Sequence, residues 1–306
     1  VSVFDADVTT NPNFSCTGRD ISVVCRQSTE MGMQFEGHVV WITGATSGLG
    51  REMALEFARR GAYVVPTGRR ANRLDEVCAE ISDISNAPKS ESMPTALGMT
   101  LDVTDDIAVA QTADAIVERF GRLDIVIANA GFGVAGTIES LSADQWRRQL
   151  DTNVIGLTST IRYALPYLKK TTGRIALISS VMGMLTVPNS GAYAASKYAV
   201  RAIGQTLSME LNGTGVSCTT IYPGFVESEI GRVDNSGVFH PDKRDKRPAK
   251  LLWPTDKAAR VMVDAIARRK RDFVFTAHGK MGGWFGRHMP GLLYLALRKK
   301  PRKQAS

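Results

Sequence analysis

Six short apolar runs recur along the chain: HVVWIT (38–43), AYVVPT (62–67), TALGMTLDV (95–103), LDIVIANA (123–130), RIALISS (174–180) and VSCTTIYPG (216–224). They are continuous rather than alternating, as strands buried on both faces are. Between most of them lie stretches of helical length, such as Leu49–Arg60 and Arg70–Ile84, whose apolar residues repeat at helical spacing. Parallel neighbours need a long crossover, usually a helix, and this pattern supplies one between most of the runs. The spacing predicts an α/β fold: a Rossmann-like doubly wound parallel sheet, in a single domain over residues 37–277. Residues 1–36 show neither period and are expected to form a disordered leader with no part in the fold, an upstream extension dispensable for activity.

The net charge of +8 is uneven. Fourteen Lys and Arg against three Asp and Glu fall between Lys250 and Ser306, so the rest of the chain is slightly acidic. The basicity therefore describes the end of the chain and not the domain. Four scattered cysteines, with no CxxC pair and no His/Cys cluster, argue against a disulfide framework or a zinc site. No signal-peptide pattern and no span of membrane length is evident, and a cytoplasmic location is expected.

Chemistry gathers at three places. The first, Thr43-Gly44-Ala45-Thr46-Ser47-Gly48-Leu49-Gly50, joins the first strand to its helix. Glycines there allow a tight turn and bring backbone N–H groups to a pyrophosphate at the positive end of a helix. The second is the end of the second strand, Thr67-Gly68-Arg69-Arg70, where an acid would bind the adenine ribose and repel a 2′-phosphate. Gly68 offers no acid and Arg69 can pair with phosphate, which favours NADP(H) and leaves NAD(H) as the lesser coenzyme. The third is Tyr193-Ala194-Ala195-Ser196-Lys197, with Ser180 thirteen residues upstream at the carboxyl end of a predicted strand. Tyrosine and lysine at i and i+4 share a helix face, and a nearby ammonium stabilises a phenolate.

These elements, with LDVTD (101–105), NAG (129–131), Asn153, ISS (178–180) and PG (223–224) in order, resemble the short-chain dehydrogenase/reductase family from about Gly37 to Arg232. The resemblance implies an oxidoreductase that passes a hydride between nicotinamide and a ketone, aldehyde or secondary alcohol. It implies that Tyr193 is general acid and base and also contacts the coenzyme, that Lys197 lowers its pKa and holds the nicotinamide ribose, that Ser180 binds the substrate oxygen, and that Asn153 supports a water-mediated relay to the lysine. It places Gly44, Ser47, Gly48, Leu49 and Gly50 on the pyrophosphate, and Asp102, Val103, Asn129, Ala130 and Gly131 on the adenosine side. Pro223, Gly224, Val226 and Ser228 then face the nicotinamide, with Ser228 where the family often has threonine. Ser47 stands where many NADP(H)-preferring members carry Lys or Arg, so coenzyme preference leans on Arg69. No metal is required, and a homo-oligomer is expected.

Beyond Ser228, the run His240–Arg247 reads as a solvated, mixed-charge loop. Residues 278–306 read as a basic amphipathic C-terminal tail, in which Trp284, Phe285, Leu292, Leu293, Tyr294, Leu295 and Leu297 adjoin Arg298, Lys299, Lys300, Arg302 and Lys303. Such a mixture suits packing against the domain or a second subunit, or peripheral contact with an anionic membrane, which would favour a lipid-like substrate. Nucleic acid is not expected as a partner. The competing function is a catalytically silent dinucleotide-binding regulatory module.

Overall fold

The computed structural model describes residues 34–88, 93–242, 245 and 247–298. Seven parallel strands form one sheet in the order β3-β2-β1-β4-β5-β6-β7. They are β1 (Val39–Thr43), β2 (Tyr63–Gly68), β3 (Met99–Thr100), β4 (Ile125–Ala128), β5 (Arg174–Ile178), β6 (Ser217–Ile221) and β7 (Asp272–Phe273). The helices are α1 (Gly48–Arg59), α2 (Ala71–Ile84), α3 (Asp106–Phe120), α4 (Ala143–Leu150), α5 (Gly156–Thr171), α6 (Gly191–Glu210), α7 (Thr255–Ala267), α8 (Ala277–His288) and α9 (Pro290–Leu297). This is the expected doubly wound sheet, with each face covered by helices.

Alternation along each strand divides the core into two layers. Val40 and Ile42 of β1 pack with Met53 and Phe57 of α1, Val77 and Ile81 of α2, and Met262 and Ile266 of α7. Val39 and Trp41 face the other way, onto Val109 and Ile116 of α3, Leu157 and Leu168 of α5, and Val200 of α6. Trp41 is wholly buried, and its indole N–H donates to Thr67 Oγ1 at 3.1 Å, so its one polar atom is satisfied.

The third predicted run yields a much shorter strand than its nine apolar-rich residues suggest, and Pro66 explains why. Val64 N–H donates to Thr95 O, Leu97 N–H to Val64 O, and Leu101 N–H to Gly68 O. The rung between needs an N–H at residue 66, which proline lacks, so the ladder breaks there and resumes only at Met99 and Thr100. β7 was not legible as a strand. Its two residues pair with β6 at the sheet edge, too few to show a period.

The sequence boundaries shift at both ends. Phe35, assigned by composition to the leader, is 1% exposed and packs on Phe57 with ring centroids 4.9 Å apart. Residues 1–33 lie outside the described residues. At the other end α8 begins one residue before the expected tail and lays its glycine face on the loop after β5: Gly283 and Gly286 both lie against Met184.

Candidate active site

The strand order reverses between β1 and β4, and a crevice opens beyond their carboxyl ends, where ligands of such sheets bind. The two turns that form it are bonded together. Asn129 Nδ2 donates to Thr43 O at 2.9 Å and Gly44 O at 3.1 Å, and Thr43 Oγ1 accepts the N–H groups of Asn129 and Ala130, each at 3.1 Å. A Cβ on Gly44 would come within 2.7 Å of Ala130 Cα, and its φ is +67°, so glycine is demanded twice over. α1 opens at Gly48 with no side-chain cap and no acid in its first turn. Its leading N–H groups therefore stay available to an anion, and the turn fits a pyrophosphate.

A cleft of about 560 Å³ runs from this turn to α6. It is lined by Gly44, Ser47, Gly48, Leu49, Gly50, Arg69, Asp102, Val103, Asn129, Ala130, Gly131, Pro223, Gly224, Val226 and Ser228, together with Ser180, Tyr193 and Lys197. Of the expected site residues, Asn153 alone is absent from the lining. It sits on a single π-helical turn, Asp151–Ile155, which joins α4 to α5. There its carboxamide accepts Phe132 N–H at 3.1 Å and donates to Phe132 O and Ser196 Oγ at 3.0 and 3.1 Å. These bonds occupy the side chain in holding the wall at Phe132 against α6. Single π-helical turns of this kind occur frequently at functional sites.

The Ser-Tyr-Lys group is assembled from two elements. Ser180 caps the short 3₁₀ turn Val181–Gly183, its Oγ accepting Met182 N–H at 3.1 Å. Its hydroxyl stands beside the Tyr193 phenol and acts to lower that phenol's pKa. The neighbouring Ser179 is structural, since its buried hydroxyl donates to Lys197 O at 2.9 Å and ties β5 to α6. Lys197 is 5% exposed and donates from Nζ to Ile178 O at 2.8 Å. Burial pulls its pKa down to about 8.

Tyr193 departs from the simple expectation. Burial pushes its phenol above the ordinary tyrosine value, while the Ser180 hydroxyl and the Arg247 charge draw it back. Lys197, expected to do the lowering, directs its ammonium to the Ile178 carbonyl and lies 5.7 Å from the ring centroid. The phenol is thus held protonated at neutral pH.

Two arginines were missed as contributors. Arg70 Nη2 donates to Thr46 Oγ1 at 2.8 Å and Ser47 Oγ at 2.9 Å, and Nη1 meets Glu229 at 3.0 Å. The cation that the loop lacks at Ser47 thus arrives from the end of β2. Arg69 is the freer of the pair: its side chain is 64% exposed and stands 3.9 Å from Asp102. Arg247, read from sequence as one charge of a solvated loop, has a side chain only 19% exposed. It donates to Val226 O at 2.7 Å and to Ser228 O at 2.9 Å, with Asp245 closing the pair at 2.7 Å. The rest of the lining carries the apolar side chains of Phe132, Ile230, Val233, Val238 and Phe239, with Thr152, Glu229 and Ser236 among them. Asn235 fastens this segment to Ala135, accepting its N–H at 3.0 Å and donating to its carbonyl at 2.9 Å.

Fold and cleft together define a Rossmann-type dinucleotide-binding enzyme. The family model described as short chain dehydrogenase matches residues 38–237, and the chain belongs to the short-chain dehydrogenase/reductase family. It is an NAD(P)-dependent oxidoreductase. The rat dehydrogenase/reductase SDR family member 7B is 31% identical over 268 residues, covering 86% of this chain and 81% of the relative. The 11-beta-hydroxysteroid dehydrogenase A of Sesamum indicum is 32% identical over 281 residues, covering 88% and 78%. A short chain dehydrogenase/reductase from Burkholderia phymatum, solved with NAD, superposes with a TM-score of 0.72 at 26% identity, covering 89% of this chain and 99% of that one. An alcohol dehydrogenase from Thermococcus sibiricus shares the fold, with a TM-score of 0.66. Among the described residues no group of three or more His, Cys, Asp or Glu is placed to hold a metal, and no helix is long and apolar enough to cross a membrane.

Proposed function

We propose that the protein reduces a ketone or aldehyde, or oxidises the matching secondary alcohol, with NADP(H) preferred. The observation that carries this reading is the convergence of Ser180, Tyr193 and Lys197 with the glycine turn on one cleft. A bound nicotinamide supplies or accepts the hydride at the substrate carbon. The Tyr193 hydroxyl gives its proton to the carbonyl oxygen as charge develops there, and Ser180 donates a second hydrogen bond to the same oxygen. In the reverse direction Tyr193 passes its proton to the neutral amine of Lys197 as it takes the alcohol proton, with the Ser180 hydroxyl and the Arg247 charge favouring the phenolate character this requires. Lys197, buried beside the phenol, holds the ribose hydroxyls and returns the proton to Tyr193. Asn153 acts here as a positioning residue.

Coenzyme choice rests on Arg69, exposed at the end of β2 where no acid stands, with Arg70 fixing the adjoining hydroxyls. The apolar side chains of Phe132, Ile230, Val233, Val238 and Phe239 in the lining favour a lipid-like carbonyl, a class consistent with the steroid named for the sesame relative. Exposed Met281, Trp284, Leu292, Tyr294 and Leu295 on α8 and α9, beside Lys280, Arg287 and Arg298, support peripheral contact with an anionic membrane. Exposed Ile155, Tyr198 and Met209 support a homo-oligomer, which light scattering would measure.

The deciding experiment follows nicotinamide absorbance with NADPH and NADH across short- and long-chain carbonyls. Turnover with NADPH that rises with chain length establishes the reading. Tight coenzyme binding without turnover on any carbonyl points instead to the regulatory module.

A further inference from the structure

α8 lies outside the residues the family model covers, yet it touches two loops of the cleft. A Cβ on Gly279 would come within 2.8 Å of Val181 Cγ2, directly after Ser180, and one on Gly286 within 3.0 Å of Leu185 Cβ. The helix is capped by Thr276, wholly buried, which accepts Gly279 N–H at 3.2 Å. One residue into the helix, His278 turns to the Pro223–Val226 loop. Phe225 N–H donates to His278 Nε2 at 3.0 Å, and the two rings stack with centroids 5.3 Å apart at 27°. Any side chain at Gly224 would collide with His278 and Thr276.

For Nε2 to accept, the ring must be neutral with its proton on Nδ1. A protonated ring would set N–H against N–H and leave the Phe225 donor without its acceptor. We propose that His278 is a positioning residue that holds the Pro223–Val226 turn against the coenzyme cleft through its neutral ring, and that protonating the ring weakens coenzyme binding. The binding half of this proposal rests on the dinucleotide reading of the cleft.

The surroundings favour the neutral ring. Burial lowers the His278 pKa, and no ionised neighbour contributes to the shift. Of the charged groups on the packed elements, Lys280, Arg287 and His288 of α8 are exposed. Asp272 of β7 is taken by Tyr222 and Arg271, and Arg247 by Val226, Ser228 and Asp245. The turn Val181–Gly183 carries no charge. The contact is therefore complete above the ordinary histidine pKa and is lost as pH falls through the lowered value.

The test combines ¹⁵N-histidine spectra with NADPH fluorescence titrations of the full chain, from about pH 5 to 8. His278→Phe keeps the stacked ring without an acceptor, whereas His278→Gln keeps an acceptor that cannot titrate. One histidine signal, missing from both variants, should show the Nδ1–H tautomer and titrate below the ordinary range. NADPH affinity should fall about tenfold in H278F at neutral pH, and the wild type should approach that level at the acid end. H278Q should keep neutral-pH affinity and lose the acid weakening. An Nε2–H tautomer, or an H278F protein matching wild type in affinity and pH profile, would overturn the proposal. Failure of every form to bind NADPH would refute the dinucleotide reading, and the tautomer would then decide the positioning contact by itself.

Discussion

The glycine turn and the C-terminal wall bound the same cleft by opposite means. At Gly44, Gly48 and Gly50 the backbone itself is the working surface, and side chains are excluded by close approach and positive φ. At Pro223–Ser228 the backbone is equally close, but it is held in place by side chains from afar: Arg247 on the carbonyls of Val226 and Ser228, His278 on the N–H of Phe225. The first design constrains residue type strictly and leaves a motif. The clamping side chains of the second need only a donor or acceptor of suitable reach, and they add no motif to the Pro223-Gly224 pair they hold.

The comparison can be broken most sharply at Tyr193, where the two sides meet. Tyr193→Phe should lower kcat by about a thousandfold while leaving NADPH affinity in fluorescence titration unchanged. A comparable loss of binding would show that Tyr193 serves the coenzyme more than the proton. Arg247→Met comes next. Loss of its two bonds to backbone carbonyls and of its charge near the phenol should reduce kcat/KM by about a hundredfold, with a raised KM for coenzyme. If kcat/KM stays within a few-fold of wild type, the wall holds itself and the contrast with the glycine turn disappears.

Smaller effects separate the two neighbouring arginines. Arg69→Ala should weaken NADPH about tenfold and spare NADH, whereas Arg70→Ala should weaken both by disturbing Thr46 and Ser47. Equal losses with both coenzymes in the Arg69 variant would remove the phosphate assignment. Lys197 offers a pH test. Its folded pKa of about 8 lies below 10.5, so the charged amine opposes folding at neutral pH, and that penalty fades as pH rises through about 8. Lys197→Met should therefore raise the Tm at neutral pH, by an amount equivalent to about 3 kcal/mol at most, and lose activity. The alkaline limb of the wild-type rate profile should begin near that value, and a profile flat across it would contradict the burial.

Legibility followed the same division. The strands, their crossovers and the residues of the glycine turn could be read because each has a local cause: a buried run, a helical period, a backbone that tolerates no Cβ. Ser180 and Lys197 could be placed because their spacing to Tyr193 is short and ordered. Arg70, Arg247 and His278 could not. Arg247 sits 21 residues from the carbonyl of Val226 and His278 sits 53 from the N–H of Phe225. Nothing in HPDKRDKR tells a buried clamp from a solvated charge. Asn153 was legible as a residue, but its hydrogen-bond partners Phe132 and Ser196 were not, since they come from elements far apart in the chain.

The sequence by itself determined the doubly wound sheet, the family and the position of its chemical groups, because burial on both faces and close backbone approach restrict residue types wherever they occur. Only the tertiary structure decided how those groups are tuned. The Tyr193 phenol is raised by burial, Lys197 is turned to Ile178, and the Pro223–Ser228 loop is clamped from α8 and from Arg247. Desolvation and long-range hydrogen bonds depend on what else fills the space around a group, and that is set by packing between segments distant in the chain.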